Sequence, residues 1–255
     1  MNDFAETNGG AAQVALASAF GLAANGHRVT IFSAVPPIDP LPTYPNLNLV
    51  LTGQHEIADD PSRLRAMVQG IWSSKARRML RATLKDFDPK NTIVHLHGWS
   101  KALSSSVVHE CVERSFKVVC TLHDYFVACL NGGFYNFRTN NICYLHALSL
   151  PCVLENCDSR SYNQTIWRVA RQIVQRQFGG IPGGISAFIS VSNFSKGCGD
   201  ASSLGAAMKR LMVSQVAQNM GRNAYEQYWR DPPTISDHVL RLEKAYLDTL
   251  AGASV

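Results

Sequence analysis

Four short stretches of this sequence join a turn to side chains able to bind anions or move protons. Glu6-Thr7-Asn8-Gly9-Gly10 stands immediately before an apolar, helix-like run. A glycine pair there lets the backbone approach a ligand closely, and a helix N-terminus offers free N–H groups to an anion. A plain tight turn is the alternative. His97-Gly98-Trp99 closes the apolar run Asn91–His97, where His97 could exchange hydrogen bonds with a hydroxyl or a phosphate. His95, on the same face two residues earlier, reads as a packed residue. His123-Asp124-Tyr125 closes a second run. An imidazole beside a carboxylate could orient an acceptor or transfer protons, or Asp124 could simply cap its turn. Ser192 to Lys196 closes a third run, with Ser192 reading as a helix N-cap and Lys196 as a phosphate contact.

Cys129, Cys143, Cys152 and Cys157 fall in one stretch without periodicity, residues 125–160. Four thiols could form a tetrahedral structural zinc site that orders a segment lacking a core. Their spacing is too wide for paired C-x-x-C knuckles, so buried, unligated thiols are the competing reading.

Other chemistries are excluded by what the sequence lacks. It contains no G-x-S-x-G elbow, no H-E-x-x-H pair, no Walker loop and no acidic cluster suited to two metals. No Lys/Arg-rich run interleaved with aromatics points to nucleic acid. The formal charge of +5 describes a mildly basic surface, or one that attracts a nucleotide diphosphate or an acidic membrane face. No apolar run is long enough to span a bilayer, and the acidic, polar start lacks the plan of a signal peptide. Seven cysteines without such a signal suggest reduced thiols and a cytoplasmic location.

The elements that must position these residues alternate in type. Gly10–Asn25 reads as a helix stopped by Gly26, and Arg28–Ser33 and Leu47–Thr52 as strands. Pro61–Lys85 reads as one long basic amphipathic helix. Asn91–His97 is a strand, Ala102–Arg114 a helix, Lys117–Leu122 a strand, Tyr162–Phe178 a helix and Ala187–Ser192 a strand. Short apolar strands between helices predict an α/β fold with a doubly wound parallel sheet. One contradiction stands: Met1–Ala5 should be the end of a first strand, yet no apolar strand precedes the glycine pair, so either the sheet starts one strand short or the start is truncated. Beyond Gly199 only helices are expected: Ala201–Met212, Val213–Arg230 and Ser236–Leu250. The last has Val239, Leu242, Tyr246 and Leu250 on its apolar face and Thr234 or Ser236 as its cap.

Several ordered motifs resemble one family. Asn8–Ala15 followed by Gly21-Leu22-Ala23-Ala24-Asn25-Gly26-His27-Arg28-Val29-Thr30 is similar to the opening of family 4 glycosyltransferases, as are NTIVHLHGWS, VVCTLHDYF and ISVSNFSK. Gly199-Asp200-Ala201 with Leu204, Gly221 to Tyr225 and Tyr228-Trp229 resemble the closing helices of the same enzymes. The resemblance implies the Rossmann-like N-terminal, acceptor-side half of a GT-B fold over residues 1–197. Residues 198–255 would then be helices left from the donor domain, with the last crossing back onto the first domain.

It also implies transfer of a hexose from a nucleotide sugar to a glycan or lipid-linked acceptor, as in polysaccharide biosynthesis, with no cofactor required. Peripheral contact with the inner membrane face goes with that role. Gly9 and Gly10 would approach the donor diphosphate or the acceptor, and His97 the donor sugar. His123 and Asp124 match the family's strand-end pair. Lys196-Gly197-Cys198-Gly199 joins the two halves directly, which implies that most of the donor-binding domain is missing and that transfer is impaired. A non-catalytic binding module or a gene fragment is the alternative.

Overall fold

A computed structural model describes residues 1–191 and 234–252, with isolated positions between 215 and 230. Two compact units divide the chain. The first comprises residues 1–123, 173–189 and 238–255, and the second residues 124–172 and 190–237.

The first unit is built on parallel strands. β1 (Asn2–Phe4), β2 (Val29–Val35) and β3 (Leu47–Leu51) pair in the order β1-β2-β3. β4 (Ile93–Leu96) and β5 (Lys117–Leu122) form a second ladder, whose outer strand is β8 (Ala187–Ser190). The ladders meet at Met1, whose N–H donates to His95 O at 2.6 Å and whose carbonyl accepts from His97 N at 2.9 Å. The resulting order, β3-β2-β1-β4-β5-β8, runs outward in both directions from the seam between β1 and β4. That is a doubly wound, Rossmann-like arrangement.

β1 corrects the expectation of a sheet one strand short. Two of its three residues are polar, so hydropathy does not mark it, yet all three are buried. Asn2 Nδ2 donates to Phe4 O at 2.9 Å. Asp3 accepts the backbone N–H groups of Lys101, Ala102 and Leu103 at 3.0, 2.8 and 2.9 Å. Burial raises the Asp3 pKa, and those three donors work against the shift.

α1 (Gly10–Ala24) buries Ala12, Leu16, Ala19 and Ala23, spaced along one face. It closes with a Schellman motif: Gly26, at φ 92°, donates to Ala23 O, and His27 donates to Leu22 O. The expected helix over 61–85 is two helices, α2 (Arg63–Ile71) and α3 (Ser74–Thr83). Trp72 and Ser73 are extended between them. Ser73 Oγ accepts from Ala76 N to cap α3, and Ser73 N–H donates to Ser104 Oγ at 2.9 Å. α4 (Ser106–Glu113) starts four residues later than expected, because Asp3 draws residues 101–103 into a turn and Ser104 takes φ 68°. Leu96, Leu103, Val107, Val108, Val118 and Val119 are fully buried around these strands. Each such side chain contributes about 1.5–3 kcal/mol.

α7 (Ile235–Ala251) follows the expected last helix and buries Val239 and Leu242. From His238 onward it belongs to the first unit, where it bonds α1 and β4. The expected helix at Ala201–Met212 lies outside the described residues. The described positions between 215 and 230 are helical.

The second unit holds the irregular stretch. β6 (Tyr135–Asn136) and β7 (Asn141–Ile142) form a small antiparallel pair. α5 (Leu150–Leu154) is capped by Ser149, and α6 (Tyr162–Gln177) begins in this unit and ends in the first. No helix among the described residues is long and apolar enough to cross a membrane.

Candidate functional site

Gly9 N-caps α1 at φ 88°, a conformation that costs glycine little and side-chain-bearing residues much more. No side chain caps that helix, and a Cβ at Gly9 or Gly10 would meet nothing within 4 Å. The helix N-terminus, with its partial positive charge, is therefore open to a ligand.

His97 sits just past β4, next to the seam, and is 6% exposed. The tight turn after it needs Gly98, since a Cβ there would stand 2.7 Å from Asn2 Oδ1 and 3.2 Å from Asp3 Oδ2. Trp99 anchors the turn by donating from Nε1 to Gln175 Oε1 at 3.1 Å. His97 Nδ1 lies 3.1 Å from His123 Nε2, at the end of β5, and the two rings stack with centroids 5.4 Å apart. Deeper on the same sheet face, the His95 ring lies 4.0 Å from that of His97. His95 Nδ1 bonds Tyr246 Oη at 2.5 Å, and its Nε2 bonds Thr121 Oγ1 at 2.7 Å.

Burial pushes the pKa values of His95 and His97 well below the ordinary histidine value, and nearby positive groups push the same way. Burial lowers His123 as well. All three are neutral near pH 7, and a neutral imidazole carries one donor and one acceptor. If His97 Nδ1 donates to His123, then Nε2 of His97 accepts; if His123 donates, His97 Nε2 donates. The cluster can thus take or give one proton-bearing hydrogen bond at the crevice. His95, His97 and Tyr246 also border a cavity of about 900 Å3, walled largely by apolar residues of α1, β2 and α7.

The glycine pair, His97 and His123 thus lie at the carboxyl ends of β1, β4 and β5. Asp124 belongs to the second unit, where its Oδ1 accepts the Phe126 N–H at 3.2 Å. Ser192 and Lys196 lie outside the described residues. The loop thiols of Cys129 and Cys157 both bond the Asn131 side chain, at 3.2 Å to Oδ1 and 3.4 Å to Nδ2. Burial, and then the neighbouring Cys129, Cys143 and Cys152, push the Cys157 thiol up to about 11. Among the described residues no three of His, Cys, Asp and Glu converge as metal ligands. Cys129, Cys152 and Cys157 are buried, and Cys143 is partly so.

The family profile described as Glycosyltransferase Family 4 matches residues 8–196, three quarters of the chain. This chain belongs to glycosyltransferase family 4. No curated protein and no solved structure matches it. The family 4 match takes in the glycine pair, His97 and His123, and stops short of α7. Asp3, Thr121 and Tyr246 escaped sequence reasoning. Thr121 lay two residues from His123 on the same strand face, and Tyr246 carried a hydroxyl on a helix face otherwise apolar.

Proposed function

We propose that this family 4 domain is the acceptor-side half of a GT-B hexosyltransferase, with the transfer site in the crevice above the β1/β4 seam. One observation carries the reading. The chain winds outward from that seam in both directions, and the carboxyl ends of β1, β4 and β5 bring Gly9, Gly10, His97 and His123 to it. Ligands of open α/β sheets bind at such switch points.

In this reading the α1 N-terminus faces the donor diphosphate, and His97 holds a hydroxyl of the transferred hexose. The bond from the anomeric carbon to the diphosphate breaks, a bond to the acceptor oxygen forms, and the acceptor proton leaves with the diphosphate or to solvent. His97, neutral and buried, positions the sugar without adding a charge that would have to be desolvated. The acceptor is a glycan or a lipid-linked sugar. Most contacts to the donor's base and ribose belong to the second Rossmann domain of the family, so this chain binds without efficient turnover.

Titration of the purified chain with UDP-glucose and other nucleotide sugars, and separately with oligosaccharides, tests the reading through the imidazole NMR signals. Millimolar ligand is expected to shift His97 and His123, with little release of nucleotide. If no nucleotide sugar or oligosaccharide moves either signal, the crevice is not a transfer site.

A further inference from the structure

His97 does not stand alone: a chain of ring contacts leads from it to a helix beyond the family match. His95 has both ring nitrogens engaged, Nδ1 by Tyr246 Oη at 2.5 Å and Nε2 by Thr121 Oγ1 at 2.7 Å. A neutral imidazole has a single N–H, so the two hydroxyls together decide which nitrogen carries it. Tyr246 meets the His95 ring edge-on, with centroids 5.6 Å apart and planes at 83°. The other side of that contact is His97, 4.0 Å from His95 and tilted by 37°.

Packing alone does not fix these rings, because the cavity of about 900 Å3 borders His95, His97 and Tyr246. Without its phenol partner the His95 ring has space to turn. Tyr246 itself is held by separate anchors on α7. Ser18 Oγ donates to Val14 O at 2.7 Å, so it accepts from His238 Nε2 at 2.8 Å. Glu243 accepts from Asn25 and bonds His27, each at 2.9 Å, and Val239 and Leu242 are buried.

We propose that Tyr246 is a positioning residue for His97. It holds the His95 imidazole in one tautomer and one orientation, and the His95 face then sets the His97 ring against His123. The terminal helix is thereby part of the transfer site, although it lies outside the matched family region. The catalytic meaning of this arrangement rests on the reading of His97 given above; the coupling itself can be measured without any ligand.

The experiment is long-range 1H–15N spectroscopy of the imidazoles in the full chain, wild type against Tyr246→Phe. In wild type, His95 and His97 should each show a single neutral tautomer at pH 7. In Tyr246→Phe, His95 should lose its single-tautomer pattern and His97 should shift with it. Unmoved His97 signals in a folded Tyr246→Phe chain overturn the proposal. Should that variant not fold, Thr121→Val frees the other His95 nitrogen and leaves the Tyr246 bond in place; His95 should then keep its single tautomer, and its loss there overturns the proposal. Glu243→Gln loosens α7 at its rim. If it moves His97 as far as Tyr246→Phe does, helix docking rather than the phenol is responsible, and the proposal fails. A wild-type chain with the expected tautomers but no response to UDP-glucose or oligosaccharide would sink the transfer reading and leave the coupling standing.

Discussion

The two units bury similar polar groups but satisfy them at very different distances along the chain. In the first unit the partners are remote. Asp3 is paired with backbone about a hundred residues away, and His95 with a phenol 151 residues away. Glu110 is fully buried and accepts from Arg77, Arg81 and Arg114. In the second unit the partners are mostly near. Asn131 serves Gly133 and Tyr135, Asn136 serves Arg138 and Thr139, and Asp158 accepts from Arg160. Local turns of this kind order a coreless stretch one side chain at a time. Remote pairs form only when the whole sheet is assembled, so losing one is felt throughout that unit.

The largest expected effect follows from Glu110. Glu110→Gln leaves three arginines facing a neutral amide and should cost about 3 kcal/mol in urea unfolding, as broken buried ion pairs do. Burial alone would raise the Glu110 pKa, but the hydrogen bonds from Arg81, Arg114 and Arg77 hold it at about 2, below its ordinary 4.5. A depressed carboxylate adds stability above its unfolded pKa and loses it on acidification. The wild-type chain should therefore weaken as pH falls from about 4.5 to 2, and Glu110→Gln should flatten that limb. A variant within 0.5 kcal/mol of wild type (roughly the scatter of surface changes) would break the claim that remote pairs govern the first unit.

Asn131→Ala should have a smaller and more confined effect. It removes the acceptor for the Gly133 N–H and the donor to Tyr135 O, and should cost about 1–2 kcal/mol. Hydrogen exchange should speed at residues 133–143 and stay unchanged in β4 and β5. Equal acceleration in both would show that the units unfold as one. The smallest effect is expected at the first turn of α7. There Thr234 Oγ1 accepts the Asp237 N–H at 3.1 Å and donates to Asp237 Oδ2 at 2.6 Å. Thr234→Ala should cost about 1 kcal/mol, seen as fraying of residues 235–238 by exchange, with β4 and β5 amides unaffected. Acceleration reaching those strands would mean that this local cap behaves like a remote pair.

The same contrast explains what was legible beforehand. Runs such as Val29–Val35 and Lys117–Leu122 declare themselves through β-branched, apolar residues, and Gly26 declares the end of α1. The glycine pair, His97 and His123 could be found because each closes or opens such a run. β1 was hidden, because Asn2 and Asp3 look like surface residues until their partners at Phe4 and residues 101–103 are known. The break at Trp72-Ser73 was hidden too: both α2 and α3 carry helical periodicity, and only Ser104, a remote partner, reveals the kink. Tyr246 fitted its helix face as an apolar residue, and nothing local announces that its hydroxyl meets a histidine.

The shortest strand of the sheet is also its centre, and this governs how the protein can be assembled. β1 pairs with residues 33 and 35 on one side, and the hydrogen bond that closes its other side spans 94 residues. Contacts this distant in sequence must bear the entropy of closing long loops before they return any stability, which slows folding. During synthesis β1 would wait for β4 before the seam could close, and α1 would wait for α7, whose His238 lies 220 residues from Ser18. Until then β1 presents an open edge with no neighbour on that side, the kind of surface that recruits strands from other chains. Yield on expression should therefore depend on how fast the chain is made and how dilute it is kept, more than on the equilibrium stability of the finished fold.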